Sequence, residues 1–156
     1  MSKKTKLIIL VILIISLGFL RDYFFMNINW IYLNLTTGRQ NQALDEFHFL
    51  LNWSVGEIEL LKWVLTLLFT FLFFLFTYQI IKLSFNTKLY NRITIGTFAA
   101  LFVASGGFFV IGHLVRQADT MYGIVRTLMG LAQSFMPLMI LYVLFKFLPD
   151  KDLNHS

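Results

Sequence analysis

Apolar residues in this chain fall in long unbroken runs, not in the alternating or one-sided patterns of a soluble fold. Three runs, 60–82, 93–115 and 124–148, exceed the roughly 20 residues that a helix rising about 1.5 Å per residue needs to cross about 30 Å of hydrocarbon. A fourth lies near the start. Residues 7–20 are apolar, Arg21-Asp22 interrupts, and Tyr23-Phe24-Phe25-Met26 carries the run to 26, with Arg21 expected to snorkel toward the outer headgroups. The pattern predicts an all-α polytopic membrane protein: a four-transmembrane-helix bundle with spans at 7–26, 60–82, 93–115 and 124–148. The first run has a second reading as a cleaved signal peptide. Lys3, Lys4 and Lys6 form a basic n-region and Ser16-Leu17-Gly18 a small-x-small site. The lack of an Ala-x-Ala and the continuation of the run past that site favour a retained signal anchor.

Composition sharpens this picture. Of 156 residues, 58% are hydrophobic and 13% charged, against roughly 45–50% and about 25% in soluble domains. Lipid can solvate such a surface and water cannot. The basic pI near 9.6 suggests nucleic acid until the charges are placed. With the N-terminus inside, Lys3, Lys4, Lys6, Lys82, Lys88, Arg92, Lys146 and Lys151 lie on the inner side, with Asp150 and Asp152 the only acids there. Arg21, Arg39, Lys62, Arg116 and Arg126 lie outside with six acids: Asp22, Asp45, Glu46, Glu57, Glu59 and Asp119. The excess is a positive-inside signature that predicts both termini in the cytoplasm, so no nucleic-acid partner is expected. Trp30, Trp53 and Trp63 all fall at or near the outer interface, where an aromatic belt belongs. The expected location is a cell inner (plasma) membrane, crossed in several passes.

Residues 27–59 form the only stretch outside the spans large enough to have shape. Trp30, Ile31, Tyr32, Leu33 and Leu35 make an apolar-aromatic patch, and Thr37-Gly38 marks a turn. Ala43, Leu44, Phe47, Leu50 and Leu51 then recur at helical spacing, predicting a short amphipathic helix on the outer leaflet or capping the bundle. It serves either as a lid or as a docking surface for a partner or a lipid-linked substrate. Ser54-Val55-Gly56-Glu57 fits a capping box opening the second span, and Glu59 and Lys62 are spaced to pair. The sequons at Asn34 and Asn52 are chance-level matches.

Within the spans, Thr66, Thr70 and Thr77 share a helical face and are expected to bond carbonyls four residues back or a neighbouring helix. Gly96, Ala100 and Ala104 on the third span, and Gly123, Gly130 and Ser134 on the fourth, form small-residue stripes that predict close packing of these two sequential helices. Pro137 cannot donate to the Gln133 carbonyl, which predicts a kink, with Ser134 or the Gln133 amide compensating. The densest polar group is His113, Arg116, Asp119, Tyr122 and Arg126. Two arginines beside a histidine suit a phosphate or carboxylate, while the plainer alternative is a set of interfacial charges facing lipid headgroups. No cysteine is present, nor a P-loop, HExxH or GxSxG, nor a nucleophile beside a base. No catalytic residue, metal site or cofactor is therefore predicted.

The stretch Phe19-Leu20-Arg21-Asp22-Tyr23-Phe24-Phe25-Met26-Asn27-Ile28-Asn29 resembles a family of uncharacterised small four-span membrane proteins of Bacteroidota. Leu61-Lys62-Trp63-Val64-Leu65-Thr66-Leu67-Leu68-Phe69-Thr70, and the run holding Arg126, Gly130, Gln133 and Pro137, add to it. More distantly, the four-span layout and the late helix with Arg126, Gln133 and Pro137 are similar to the exosortase F-associated proteins. These accompany a membrane transpeptidase of a protein-sorting system. That resemblance implies an accessory role and assigns no catalytic residue. The expected partners are the bilayer and another membrane protein or further copies of this chain.

Overall fold

The computed structural model describes residues 2–114 and 118–148, without the side chains at 109, 112, 113 and 118–122. Its only regular elements among the described residues are helices. Helix α1 spans Lys3–Thr37, α2 Val55–Phe85, α3 Lys88–Leu114, α4 Ala118–Ala132 and α5 Met136–Phe147, with a 3₁₀ segment at Asp45–Asn52.

The first helix does not end near Met26. It runs through Arg21-Asp22 to Thr37, about 52 Å at 1.5 Å per residue. A charged pair does not break a helix, and no glycine or proline occurs between Phe19 and Thr37. The Ser2 hydroxyl accepts from the Thr5 N–H at its start. Gly38, at φ 66°, closes the end in the left-handed conformation that costs glycine nothing. The expected turn at Thr37-Gly38 is thus the helix terminus, and Trp30, Ile31, Tyr32, Leu33 and Leu35 belong to α1 instead of a separate outer element. Cleavage after Gly18 would strip Ile14 and Leu17 from the core, where both are buried.

The amphipathic outer segment is a 3₁₀ helix, not an α-helix. Its buried positions, Phe47 and Leu50, are three apart, with Ala43 before them, while Leu44 is exposed. Phe47 sits edge-on to Tyr23 and Phe24. Asn27, almost fully buried, accepts the Leu44 N–H at 2.8 Å and donates to the Tyr23 carbonyl. The segment therefore folds back along α1 and joins Ile28, Ile31 and Ile58 in an apolar cluster of its own. The predicted capping box opens α2: the Ser54 N–H donates to Glu57 Oε2 at 2.7 Å, and the Glu57 N–H returns to the Ser54 hydroxyl.

Between α2 and α3, where the predicted spans leave residues 83–92 outside, the chain makes only a two-residue turn, Asn86-Thr87, made possible by Asn86 at φ 51°. Tyr90 thereby enters α3 and stacks on Phe145 of α5, centroids 4.3 Å apart. These rings complete the larger core with Ile14, Leu17, Phe69, Phe73, Ile81, Leu138 and Leu141.

The last predicted span is broken. Helix α4 begins at Ala118, ahead of residue 124, and stops at Ala132; α5 leaves at a 59° bend. Ser134 turns its N–H to the Leu131 carbonyl, one residue short of helical register, and its hydroxyl accepts the Met136 N–H. Pro137 then sits in the first turn of α5, where its missing N–H costs nothing. Among the described residues α1 and α2 are each long and apolar enough to cross a bilayer, and the α4–α5 pair makes a third crossing if it counts as one span.

Candidate functional site

The break positions a polar cluster inside the helical bundle. Gln133, the first residue after α4, is buried, and its amide turns away from the broken backbone toward α2. Its Nε2 donates to the Thr66 carbonyl at 2.8 Å and to the Thr70 hydroxyl at 3.1 Å. Its Oε1 accepts from Arg21 Nε at 3.2 Å. Arg21 also donates to Asp22 Oδ1 at 2.7 Å, and its guanidinium lies 5.4 Å from the Phe25 ring centroid. One glutamine thus joins α1, α2 and the α4–α5 break.

Each member was visible in the sequence with a different expected role. Arg21, expected to snorkel outward, is turned inward to Gln133. The Gln133 amide, one of two groups expected to compensate at the break, serves α2, while Ser134, the other, bonds the Leu131 carbonyl and the Met136 N–H. Thr66 and Thr70 do bond the carbonyls four residues back, Lys62 and Thr66, at 2.7 Å each. Thr77 does not: its hydroxyl is fully buried and has no hydrogen-bond partner among the described residues, as is true of the Ser84 hydroxyl and the Asn91 side-chain amide oxygen.

Of the outer-rim group, His113, Arg116, Asp119 and Tyr122 lie outside the described residues or their described side chains; Arg126 is described and exposed. Arg126 is near enough to Lys62 of α2 for their like charges to repel, with Glu59 opposing that repulsion. Glu59 and Lys62 do not pair directly among the described contacts. Both engage Tyr32 of α1: its hydroxyl donates to Glu59 Oε1 at 3.0 Å, and Lys62 Nζ stands 4.4 Å from the ring centroid. Lys62 is thus held against an aromatic ring whose hydroxyl bonds the Glu59 carboxylate, with Arg126 within electrostatic range. Two cations within range of one another can attract an anion.

Gly96, Ala100 and Gly123 of the small-residue stripes face away from the core. The buried positions Thr94, Phe98 and Ser105 of α3, and Val125, Met129 and Ala132 of α4, lie on the opposite side of each helix from Gly96 and Ala100, and from Gly123. A Cβ added at Gly96 or Gly123 would meet nothing within 4 Å, and one at Gly130 would meet only Arg21 at 3.9 Å. Helices α3 and α4 do share an extensive interface, but these glycines do not make its closest approach. Ala104 and Ser134 are half-buried.

Comparison with family models, with curated proteins and with solved structures finds no match to this chain. The functional reading therefore rests on the geometry above.

Proposed function

We propose that this chain is a multi-pass inner-membrane protein of bacteria with four spans and both termini in the cytoplasm. In this reading α3, about 40 Å long at 27 residues, supplies the fourth crossing. Its role is that of a non-catalytic accessory or assembly subunit of a larger cell-envelope machine. The observation that carries this is the outward aspect of the small-residue stripes. In lipid, where apolar surface alone gives no drive to associate, glycine- and alanine-lined faces are what let a second helix approach closely. Gly96, Ala100 and Gly123 present such faces with open space before them. The similarity to exosortase F-associated proteins and the lack of a nucleophile–base pair point the same way.

The chain has no cysteine, so single cysteines report without background. Cysteines at Ala100 or Gly123 are expected to crosslink to a second chain in the membrane, and Gly96→Leu or Gly123→Leu to abolish the recurrent partner without lowering the level of the protein. A strictly monomeric protein with no recurrent partner would overturn the assignment. Cysteines at Arg39 and Lys88 test orientation: an impermeant thiol reagent added outside should label the first and spare the second.

A second reading, an outer-face binder or processor of an anionic lipid-linked ligand, is supported by the like charges of Lys62 and Arg126, which lie within electrostatic range of each other. Replacing Arg116 and Arg126 together by alanine should then abolish function at unchanged membrane level, and normal function of that variant would sink it.

A further inference from the structure

The bend between α4 and α5 opens a groove of about 500 Å³ along α1, within the range of about 300–1,000 Å³ typical of small-molecule sites. Its walls are apolar: Ile15 and Gly18 on one side, Leu138 and Met139 on the other. Ile15 and Met139 are exposed, so the groove opens sideways into the bilayer. It runs about ten residues of α1, roughly 15 Å, from Val11 to one polar end at Arg21 and Asp22. An apolar channel with a charged end is the shape of an amphiphile with one chain.

The polar end specifies which amphiphile. An unpaired arginine would select an anionic head. Here Arg21 is compensated by Asp22 at 2.7 Å, and the two side chains differ in accessibility, 27% against 71%. Arg21 has committed Nε to Gln133 and one terminal nitrogen to Asp22. Its second terminal nitrogen makes no hydrogen bond among the described residues and is free for a phosphate oxygen, which the guanidinium fork suits. Asp22 keeps unused lone pairs on an exposed carboxylate, which an ammonium can occupy. The pair is a fixed dipole of zero net charge, and its complement is a zwitterion.

We propose that this groove holds one acyl chain of a phospholipid whose phosphoethanolamine head docks on the Arg21–Asp22 pair, phosphate to the guanidinium and ammonium to the carboxylate. The site is distinct from the outward small-residue faces and from the Lys62–Arg126 rim, and does not rest on either reading of function.

The test uses the full chain in nanodiscs of equimolar phosphatidylethanolamine and phosphatidylglycerol, extracted mildly and read by native mass spectrometry for retained lipid. The wild type should keep one phosphatidylethanolamine per chain, enriched about tenfold over phosphatidylglycerol, the ratio that one added charge-assisted contact supplies. Asp22→Asn leaves Arg21 uncompensated and should reverse the preference. Gly18→Phe fills the groove and should lose the lipid with the charged pair intact. Both variants act where the structure is open: nothing lies within 4 Å of a Cβ at Gly18, and Asp22 is exposed, so folding is not at stake. Retained lipid in the input ratio, or retention unchanged in both variants, would overturn the proposal. So would stoichiometric crosslinking of a cysteine at Met139 to another protein chain, which would mean that a helix occupies the groove.

Discussion

The α1–α2 half and the α3–α4–α5 half of this molecule handle the same solvent in opposite ways. The first is two long helices with a defined N-cap and C-cap each, tied at the outer end by Asn27 and the 3₁₀ segment, with Ile28, Ile31, Phe47, Leu50 and Ile58 forming a cluster of their own. Large side chains, complete caps and an uninterrupted backbone let it close on itself. The second half is rich in glycine and alanine, is bent by 59° at its last span, and turns its small residues outward. A half with capped helices and an unbroken backbone makes a scaffold. One that leaves small faces and a break uncovered makes a surface for something else.

The largest expected effect on this contrast comes from Phe73, which is buried in the inner core between the halves. Phe73→Ala should cost about 3 kcal/mol of folding free energy through lost packing and a cavity, measured by reversible unfolding in mixed micelles. The equivalent truncation at exposed Val103 of α3 should change nothing measurable. If the two cost the same, the halves are not differently packed.

Gln133→Leu comes next. It removes the one side chain bonded to both α1 and α2 from the break, and leaves the Arg21 Nε–H without its acceptor. A loss of about 1–2 kcal/mol is expected, above the mean of roughly 0.6 for polar contacts between membrane helices because a charged group is left unmatched. Asn27→Leu should cost a similar or slightly smaller amount by leaving the Leu44 N–H without its acceptor, and it should raise hydrogen exchange in residues 39–52 while leaving α3–α5 unchanged. An equal rise across α3–α5 would show the two halves to be one cooperative unit. Smallest is Thr77→Val. The hydroxyl is buried without a partner, so its removal at near-constant shape should be neutral or stabilise by a few tenths of a kcal/mol. A clear loss of stability there would reveal a partner for that hydroxyl.

Much of the first half was legible in sequence because its signals are local. A serine three residues before a glutamate specifies a capping box, and a glycine after an apolar run specifies a helix end. What misled was the charge pair at Arg21-Asp22, which reads as an edge of the hydrocarbon but carries no backbone penalty, so α1 continued past it. The 3₁₀ segment escaped notice because periods of three and 3.6 diverge by less than about half a turn over eight positions. The polar cluster was illegible for a different reason. Arg21 and Gln133 are 112 residues apart, and no spacing rule links them until α1 and the helix break stand side by side. Nor could the stripes' direction be read: small residues at every fourth position mark a face, and only the buried positions of the same helices tell which way it points.

Helix α5 is short, about 18 Å for its 12 residues, and it is held at both ends. Above, Gln133 is bolted to α2 through Thr66 and Thr70; below, Phe145 lies flat against Tyr90 of α3. A beam fixed at two supports cannot swing. A rotation of about 10° about either support would carry the other end roughly 3 Å, enough to unstack the rings or part the amide from its acceptors. The slot beside α1 therefore keeps its width when empty, and whatever enters it meets a finished mould with little reorganisation left to oppose binding.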